Sequence, residues 1–262
     1  MSQSATLLMY HELARAGRPL CDESPGYTRY VVPEARFAAH LARLKSLGMP
    51  GSSVSQALQN GGVALTFDDG CETDWLIAAP LLQAADFGAT FYIVAGWIGR
   101  AGFLGEKPLV ELADAGFEIG SHGQSHAFLS DLSDEALRAE MRDSKTKLEQ
   151  ITGREIAHFS CPGGRFDARV ASVGRELGYA SVATSRAGIN LPEADRFRLA
   201  RMAIQQSTSM SDFERACRGE LSGRDRVRGT VLRMAKAVLG NGAYQKMRGA
   251  ALEKKSESIR RK

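Results

Sequence analysis

The 262-residue sequence contains only four cysteines, which lie far apart in the chain at positions 21, 71, 161 and 217. None of them forms a C-x-x-C pair, so the sequence offers neither a zinc ribbon nor a disulfide framework. We therefore predict four reduced and separate thiols.

Long apolar runs are also missing. No window approaches the roughly 18 apolar residues that a membrane-spanning helix requires. The N-terminal residues lack a basic segment, and their apolar stretch, residues 5–10, is too short for the core of a signal peptide. These two absences lead us to expect a cytoplasmic protein.

The net charge of +4 hides an uneven distribution of charge. Residues 1–214 have 20 Lys and Arg against 26 Asp and Glu, whereas residues 215–262 have 14 against 4. We predict a main domain over residues 1–210 and a basic helical extension over residues 211–262. The extension contains an amphipathic segment, residues 226–239, which either packs on the domain or lies on an anionic inner-membrane surface. We favour packing, and we expect no nucleic-acid partner.

Short apolar segments alternate with segments of helical spacing through most of the chain. This alternation is typical of parallel βα units, and both a barrel and an open doubly wound sheet fit it. The helix predicted over residues 133–151 opens on Ser133 as its N-cap and ends before Gly153. The other predicted helices are residues 33–47, 75–85, 108–115 and 167–177. The predicted strands are residues 6–11, 63–67, 89–94, 117–120, 156–159, 179–183 and 199–204.

Polar side chains collect where these strands end. His11 ends the first strand, Asp68 and Asp69 follow the second, and His122 and His126 follow the fourth. In both candidate folds, functional sites form at the carboxyl ends of the strands. These five side chains are therefore expected on one rim of the sheet.

Each feature also has a plainer interpretation. Asp-Asp-Gly alone is a common turn, and a lone strand-end histidine is more often structural. His40 and His158 fall inside a predicted helix and a predicted strand, where we expect structural roles. The joint pattern is more specific, because one carboxylate and two imidazoles make a hydrolytic metal set that leaves positions open for water and substrate. The second carboxylate of the pair is then free to act as a base.

The sequence resembles the polysaccharide deacetylases with a NodB homology domain, carbohydrate esterase family 4. T-F-D-D-G at residues 66–70 matches the first family motif, and S-H-G-Q-S-H at residues 121–126 matches the second. F-S-C-P-G-G at residues 159–164 resembles the third. The resemblance covers about residues 6–204 and implies a distorted (β/α) barrel of about seven parallel strands. It also implies metal-assisted removal of an N- or O-acetyl group from a sugar.

The resemblance assigns roles to the residues of the first two motifs. Asp69, His122 and His126 are expected to bind one divalent metal ion, usually zinc, with cobalt or manganese as alternatives. Asp68 is expected to act as the base that deprotonates the attacking water.

The third motif departs from the family pattern. Its turn contains Pro162 and Gly163, and the resemblance implies that the Gly163 backbone N–H stabilises the oxyanion. The arginine that usually orients the base is replaced by Ser160. Arg165 and Arg201 are the candidates to take its place.

The fifth family motif, which supplies a general-acid histidine, is absent because no histidine follows position 158. Some family members resemble a circular permutation in which an N-terminal Y-H motif supplies the acid. Tyr10 and His11 match that version, so the resemblance implies that His11 protonates the leaving amine.

The expected substrate is an acetylated carbohydrate, either a polysaccharide or a lipid-linked oligosaccharide intermediate of exopolysaccharide or cell-surface glycan synthesis. One alternative is a deformylase or other amidase that acts on a lipid-linked or small substrate. Another is a catalytically silent sugar-binding module. Asp68 distinguishes these classes, because an enzyme requires the free base and a binding module does not.

Overall fold

The structure, a computed structural model, describes residues 4–220. Its main sheet has the strand order β10-β1-β5-β6-β7-β8-β9, and all neighbouring strands are parallel. The short strand β4 pairs with β5, and β2 pairs with β3 in a separate two-stranded sheet. The strands are β1 (Ala5–Tyr10), β2 (Leu13–Ala14), β3 (Val32–Pro33), β4 (Gly51–Ser52), β5 (Gly62–Phe67), β6 (Thr90–Ile93), β7 (Glu118–Ser121), β8 (His158–Ser160), β9 (Ser181–Ala183) and β10 (Met202–Ala203).

The helices connect successive strands and cover the outside of the sheet. A π-helical turn over Asp74–Ala78 leads into α4. The α-helices are α1 (Pro25–Thr28), α2 (Glu34–Ser46), α3 (Val54–Asn60), α4 (Ala79–Ala85), α5 (Glu106–Asp114), α6 (Asp134–Thr152), α7 (Ala168–Glu176) and α8 (Met210–Cys217).

The sheet curls towards closure. A parallel bridge joins Ala183 at the end of β9 to Leu199, just before β10, and the Thr184 N–H donates to the Leu199 carbonyl at 2.9 Å. The predicted class, a distorted (β/α) barrel of about seven parallel strands, is confirmed.

Both faces of the curled sheet are buried, and each contributes to a separate hydrophobic cluster. Along β1 and β5, Leu8, Tyr10 and Phe67 belong to the large core between the sheet and the helices. Leu7 and Ala64 belong to a smaller core on the opposite face. Period-two alternation explains this division, because successive side chains of a strand point to opposite faces.

The predicted elements agree with the structure to within a few residues. The N-cap at Ser133 is confirmed, since its side chain accepts from the Ala136 N–H, and Gly153 ends α6 in the left-handed conformation. Helix α3, which opens on a capping box between Ser53 and Gln56, was not predicted from the sequence. The two-residue strands were not predicted either, because they are too short to show a period.

Helix α8 lies across the predicted domain boundary at residue 210. Its Phe213 ring is buried and stacks on His40 of α2, with ring centroids 4.0 Å apart. The first residues of the predicted basic extension thus pack on the barrel. Residues 221–262, with the predicted amphipathic segment, lie outside the described residues. Among residues 4–220, no helix has the length and apolar character to span a bilayer.

Candidate active site

The two adjacent carboxylates leave the end of β5 on a turn with an unusual backbone. Asp69 has a φ of 81°, in the left-handed region that aspartate tolerates better than most residues. Gly70 follows with a φ of 77°, and a Cβ atom there would lie 3.1 Å from the Ile93 side chain. Glycine at this position therefore lets the turn pack against β6.

Asp69, His122 and His126 converge on one point of the rim. The Asp69 Oδ1 atom lies 3.5 Å from His122 Nε2 and 3.4 Å from His126 Nε2. Asp69 Oδ1 is buried and has no hydrogen-bond partner of good geometry among residues 4–220. A buried carboxylate oxygen without a donor, facing two imidazole nitrogens, is the arrangement that a cation satisfies.

The protonation of His122 suits a metal ligand. Its Nδ1 lies 2.8 Å from the Ser160 carbonyl oxygen, which can only accept, so Nδ1 is the protonated nitrogen. Burial lowers the pKa of His122 to about 4, with nearby carboxylates opposing the shift. The ring is thus neutral at neutral pH, with the Nε2 lone pair free, as in ligands that are oriented by a backbone carbonyl. The three donors fit a zinc-class dication.

His126 completes this set from a turn rather than from a helix. Its backbone φ is 65°, and its ring centroid lies 5.1 Å from that of His122. On its other side the ring contacts Trp97, at 5.0 Å between centroids. Trp97 lies just after β6 and thereby forms part of the wall of the site.

Asp68 faces the barrel interior and pairs with Arg201. Arg201 Nη1 donates to Asp68 Oδ1 at 2.7 Å, and Nη2 donates to Oδ2 at 2.8 Å. Burial acts to raise the pKa of Asp68, but the charges of Arg201 and His122 outweigh it and hold the pKa below its usual value. Asp68 is therefore ionised and held in one orientation.

Of the two candidate arginines, Arg201 is the one that contacts Asp68. Its Nη2 also donates to the Ser160 hydroxyl at 2.8 Å, so Ser160 bridges Asp68 and Arg201. Arg165 instead lies over the Phe128 ring, at 5.0 Å, with Nη1 3.7 Å from the Asp131 carboxylate.

His11 lies next to the two carboxylates. Strands β1 and β5 are neighbours in register, with Tyr10 opposite Phe67, and the Asp68 N–H donates to the Tyr10 carbonyl at 3.0 Å. The His11 ring stacks on Tyr30 at 4.6 Å between centroids. Its Nδ1 is buried and has no hydrogen-bond partner within the described part of the chain.

The third-motif turn follows β8 on the same rim. Pro162 is buried, and Gly163 has a φ of 59°. A Cβ atom at Gly163 would lie 2.7 Å from the Phe128 ring, so this position requires glycine for both its backbone and its space.

The sequence analysis missed the two aromatic residues at the site, Trp97 and Tyr30. Trp97 could have been predicted, because an aromatic residue just beyond the end of a predicted strand lies near the rim of the sheet where the site forms. Tyr30 had no such signal, since it belongs to a long connection between β2 and β3.

Residues 56–182 match the family described as polysaccharide deacetylase. YxkH of Bacillus subtilis is 26% identical over 216 residues, which cover 79% of this chain and 74% of that protein. The peptidoglycan-N-acetylglucosamine deacetylase of Bacillus cereus is 32% identical over 121 residues, which cover 46% of this chain and 54% of that protein.

Solved structures agree with these matches. The Streptococcus pyogenes deacetylase PplD in complex with acetate gives a TM-score of 0.72 at 24% identity, covering 83% of this chain and 99% of that one. A polysaccharide deacetylase from Bacillus cereus gives a TM-score of 0.71 at 25% identity. The match covers 82% of this chain and 69% of that one. Over residues 56–182, the chain carries the polysaccharide deacetylase domain of carbohydrate esterase family 4. It is a hydrolase, a carbohydrate deacetylase.

Proposed function

We propose that the protein removes N-acetyl groups, or O-acetyl groups, from a carbohydrate by metal-assisted hydrolysis, with Asp68 as the base and His11 as the acid. The observation that carries this proposal is the Asp68–Arg201 pair, which lies beside the converging Asp69, His122 and His126. One carboxylate is held by an arginine, while its neighbour faces two imidazole nitrogens. This division separates the base from the ligand set.

Asp69, His122 and His126 would hold the metal ion, for which zinc is our first choice and cobalt or manganese the alternatives. A divalent ion bound there supplies a Lewis acid that makes water acidic enough for a carboxylate of low basicity.

Asp68 takes the proton of the attacking water on a carboxylate oxygen. Arg201 keeps that carboxylate ionised and fixes its plane, so the oxygen is in place before substrate arrives. The Gly163 backbone N–H donates to the carbonyl oxygen of the acetyl group as negative charge develops there. His11 gives its proton to the leaving nitrogen, and Tyr30 holds the His11 ring by stacking.

The name of one relative supports a proposal for the substrate class. One curated relative acts, by its name, on the N-acetylglucosamine of peptidoglycan. We infer a substrate rich in N-acetylglucosamine, either a polysaccharide or a lipid-linked oligosaccharide intermediate of cell-surface glycan synthesis. The cytoplasmic location and the membrane contact of the basic extension stay predictions.

The experiment is acetate and formate release from a panel of acetylated and formylated glycans. The enzyme is assayed as purified, after chelation, and after separate restoration with zinc, cobalt and manganese. We expect acetate release that is lost on chelation and restored by metal. Release that persisted unchanged without metal would contradict the mechanism, and formate release in place of acetate release would reassign the substrate.

A further inference from the structure

A second group of metal-binding side chains lies beside the active site. Glu12, Cys21 and Cys71 bring a carboxylate oxygen and two Sγ atoms within 4.8 Å of one another. Glu12 and Cys71 are buried, and Cys21 is half-buried. The four cysteines are free, as predicted, but the prediction that they lie apart is wrong for this pair. We call Glu12, Cys21, Cys71 and the neighbouring Asp74 the thiol cluster.

Asp74 is the member of the thiol cluster that lacks any partner. It is fully buried, and neither of its carboxylate oxygens has a hydrogen-bond partner among residues 4–220. Burial raises the pKa of Asp74 well above its usual value, and the next contributions come from Asp69, Cys21 and Glu12. The carboxylate therefore lies close to other acidic groups.

Three separate segments contribute to the thiol cluster. Glu12 follows β1, and its carboxylate accepts from the Cys21 N–H at 3.0 Å. Cys71 and Asp74 come from the turn that follows the TFDDG motif. Cys21 lies in residues 15–24, a connection without helix or strand, and its thiol donates to the Gly102 carbonyl at 3.0 Å. A metal ion bound by these side chains would link residues 15–24 to the turn that carries Asp69.

The donor atoms of the thiol cluster determine which kind of metal ion it can bind. Thiols and carboxylates are donors to zinc-class ions, whose bonds of about 2.0–2.3 Å place their ligand atoms roughly 3–4 Å apart. The donor atoms of Glu12, Cys21 and Cys71 lie within 4.8 Å of one another, which is close to that spacing. A bound dication would also offset the negative charge of the buried Glu12 carboxylate and of Asp74, whose oxygens have no hydrogen-bond partner among residues 4–220.

We propose that Glu12, Cys21 and Cys71 form a second cation site for a zinc-class dication, separate from the Asp69–His122–His126 set and with the Asp74 carboxylate buried beside them. Its role is structural: it fixes residues 15–24 against the turn that carries the two active-site carboxylates.

The test uses cobalt, because its absorption reports sulfur ligands. The full chain is kept in a non-coordinating reductant, stripped by chelation and titrated with Co²⁺. The Asp69–His122–His126 set contains no sulfur, so a thiolate-to-cobalt charge-transfer band in the near ultraviolet reports the thiol cluster alone. We expect two equivalents of cobalt, one of which produces the band.

Single substitutions separate the two sites. Cys21→Ser changes a half-buried side chain, and we expect it to abolish both the charge-transfer band and the binding of one equivalent of cobalt. Asp69→Ala should lose the other equivalent of cobalt and keep the band. Asp74→Asn should lower the affinity for the cobalt ion that produces the band by at least tenfold. Cys217→Ser, in α8, is the matched control and should leave both equivalents intact, with circular dichroism confirming the fold of each variant. The absence of the band in the unsubstituted protein, or its survival in Cys21→Ser, would overturn the proposal.

Discussion

Asp68 and Arg201 form a charge pair that is almost completely shielded from water. Arg201 is 1% exposed and Asp68 is 2% exposed, and two parallel N–H···O bonds join them. Removing one partner of a buried pair leaves an uncompensated charge, which typically costs about 3–5 kcal/mol. The pair therefore affects the stability of the barrel as well as the orientation of the Asp68 carboxylate.

Arg201→Met is predicted to lower the free energy of unfolding by about 3–5 kcal/mol. The double variant Arg201→Met/Asp68→Asn should recover part of that loss, because no unpaired charge remains inside the barrel. Urea unfolding of both single variants and the double variant, all in chelator, measures the coupling between the two residues. Strictly additive losses would show that the two side chains do not interact.

His11→Ala is predicted to reduce acetate release from N-acetyl substrates by about 10²–10⁴-fold, because the leaving amine then lacks its proton donor. An aryl acetate ester has a leaving group that needs no protonation, so its hydrolysis should change far less. Tyr30→Phe keeps the stacking ring and serves as the control. Equal losses on amide and ester would argue against an acid role.

The sequence alone brought the two carboxylates and two rim histidines together, because each follows a recognisable strand end. It could not choose between Arg165 and Arg201. Arg201 reaches Asp68 only because β10 pairs with β1, which in turn pairs with β5. That adjacency joins residues far apart in the chain, and no local pattern shows it.

At the scale of elements, Glu118 joins the start of β7 to its neighbours. Its carboxylate accepts from the Val54 N–H at 3.1 Å at the start of α3, and also from the Thr90 hydroxyl of β6. Its other oxygen lies 3.5 Å from His158 Nε2 on β8. Burial acts to raise the pKa of Glu118, but His158, Ser55 and Thr90 lower it to about 2.

This link predicts a dependence of stability on pH. A carboxyl whose pKa is lower in the folded state stabilises the fold above its unfolded pKa and loses that contribution as the pH falls towards 2. Glu118→Gln should therefore cost about 2–3 kcal/mol at pH 7, and the difference from the unsubstituted protein should shrink between about pH 4.5 and 2. Urea unfolding across that range measures it, and a constant difference would contradict the role of the charge.

Elements with a long apolar run were predictable, and short ones were not. Strand β5 has six residues and was found, whereas β2 and β3 have two residues each and show no period. Helix α3 was missed although its capping box, Ser53 with Gln56, is visible in the sequence. The seven residues of α3 include few apolar positions, so their hydrophobic periodicity is too weak to predict a helix unless the capping box is also considered.

For the whole molecule, the barrel includes more of the chain than the charge distribution suggested. Phe213, Ala216 and Cys217 of α8 are buried, so a truncation after residue 210 would remove part of the core. A truncation after residue 220 keeps α8 and removes only the basic residues 221–262. The second truncation is the proper reference for any role of the extension.

Residues 221–262 contain 12 Lys and Arg against 3 Asp and Glu. Each basic residue near an anionic membrane contributes about 1 kcal/mol, and salt screens this attraction. If the extension contacts a membrane, the full chain should cosediment with anionic liposomes at low salt, and residues 1–220 should not. Neutral liposomes are the control. Equally poor binding by both chains would contradict the membrane hypothesis.

The division of labour between the adjacent carboxylates is the central claim, and metal content measured together with acetate release tests it most directly. The unsubstituted protein, Asp68→Asn and Asp69→Ala are compared on one N-acetylated oligosaccharide. We expect Asp69→Ala to lose one equivalent of metal together with its activity. Asp68→Asn should keep its metal and lose activity by at least about 10²-fold. Near-normal acetate release by Asp68→Asn, or full metal and activity in Asp69→Ala, would contradict the account.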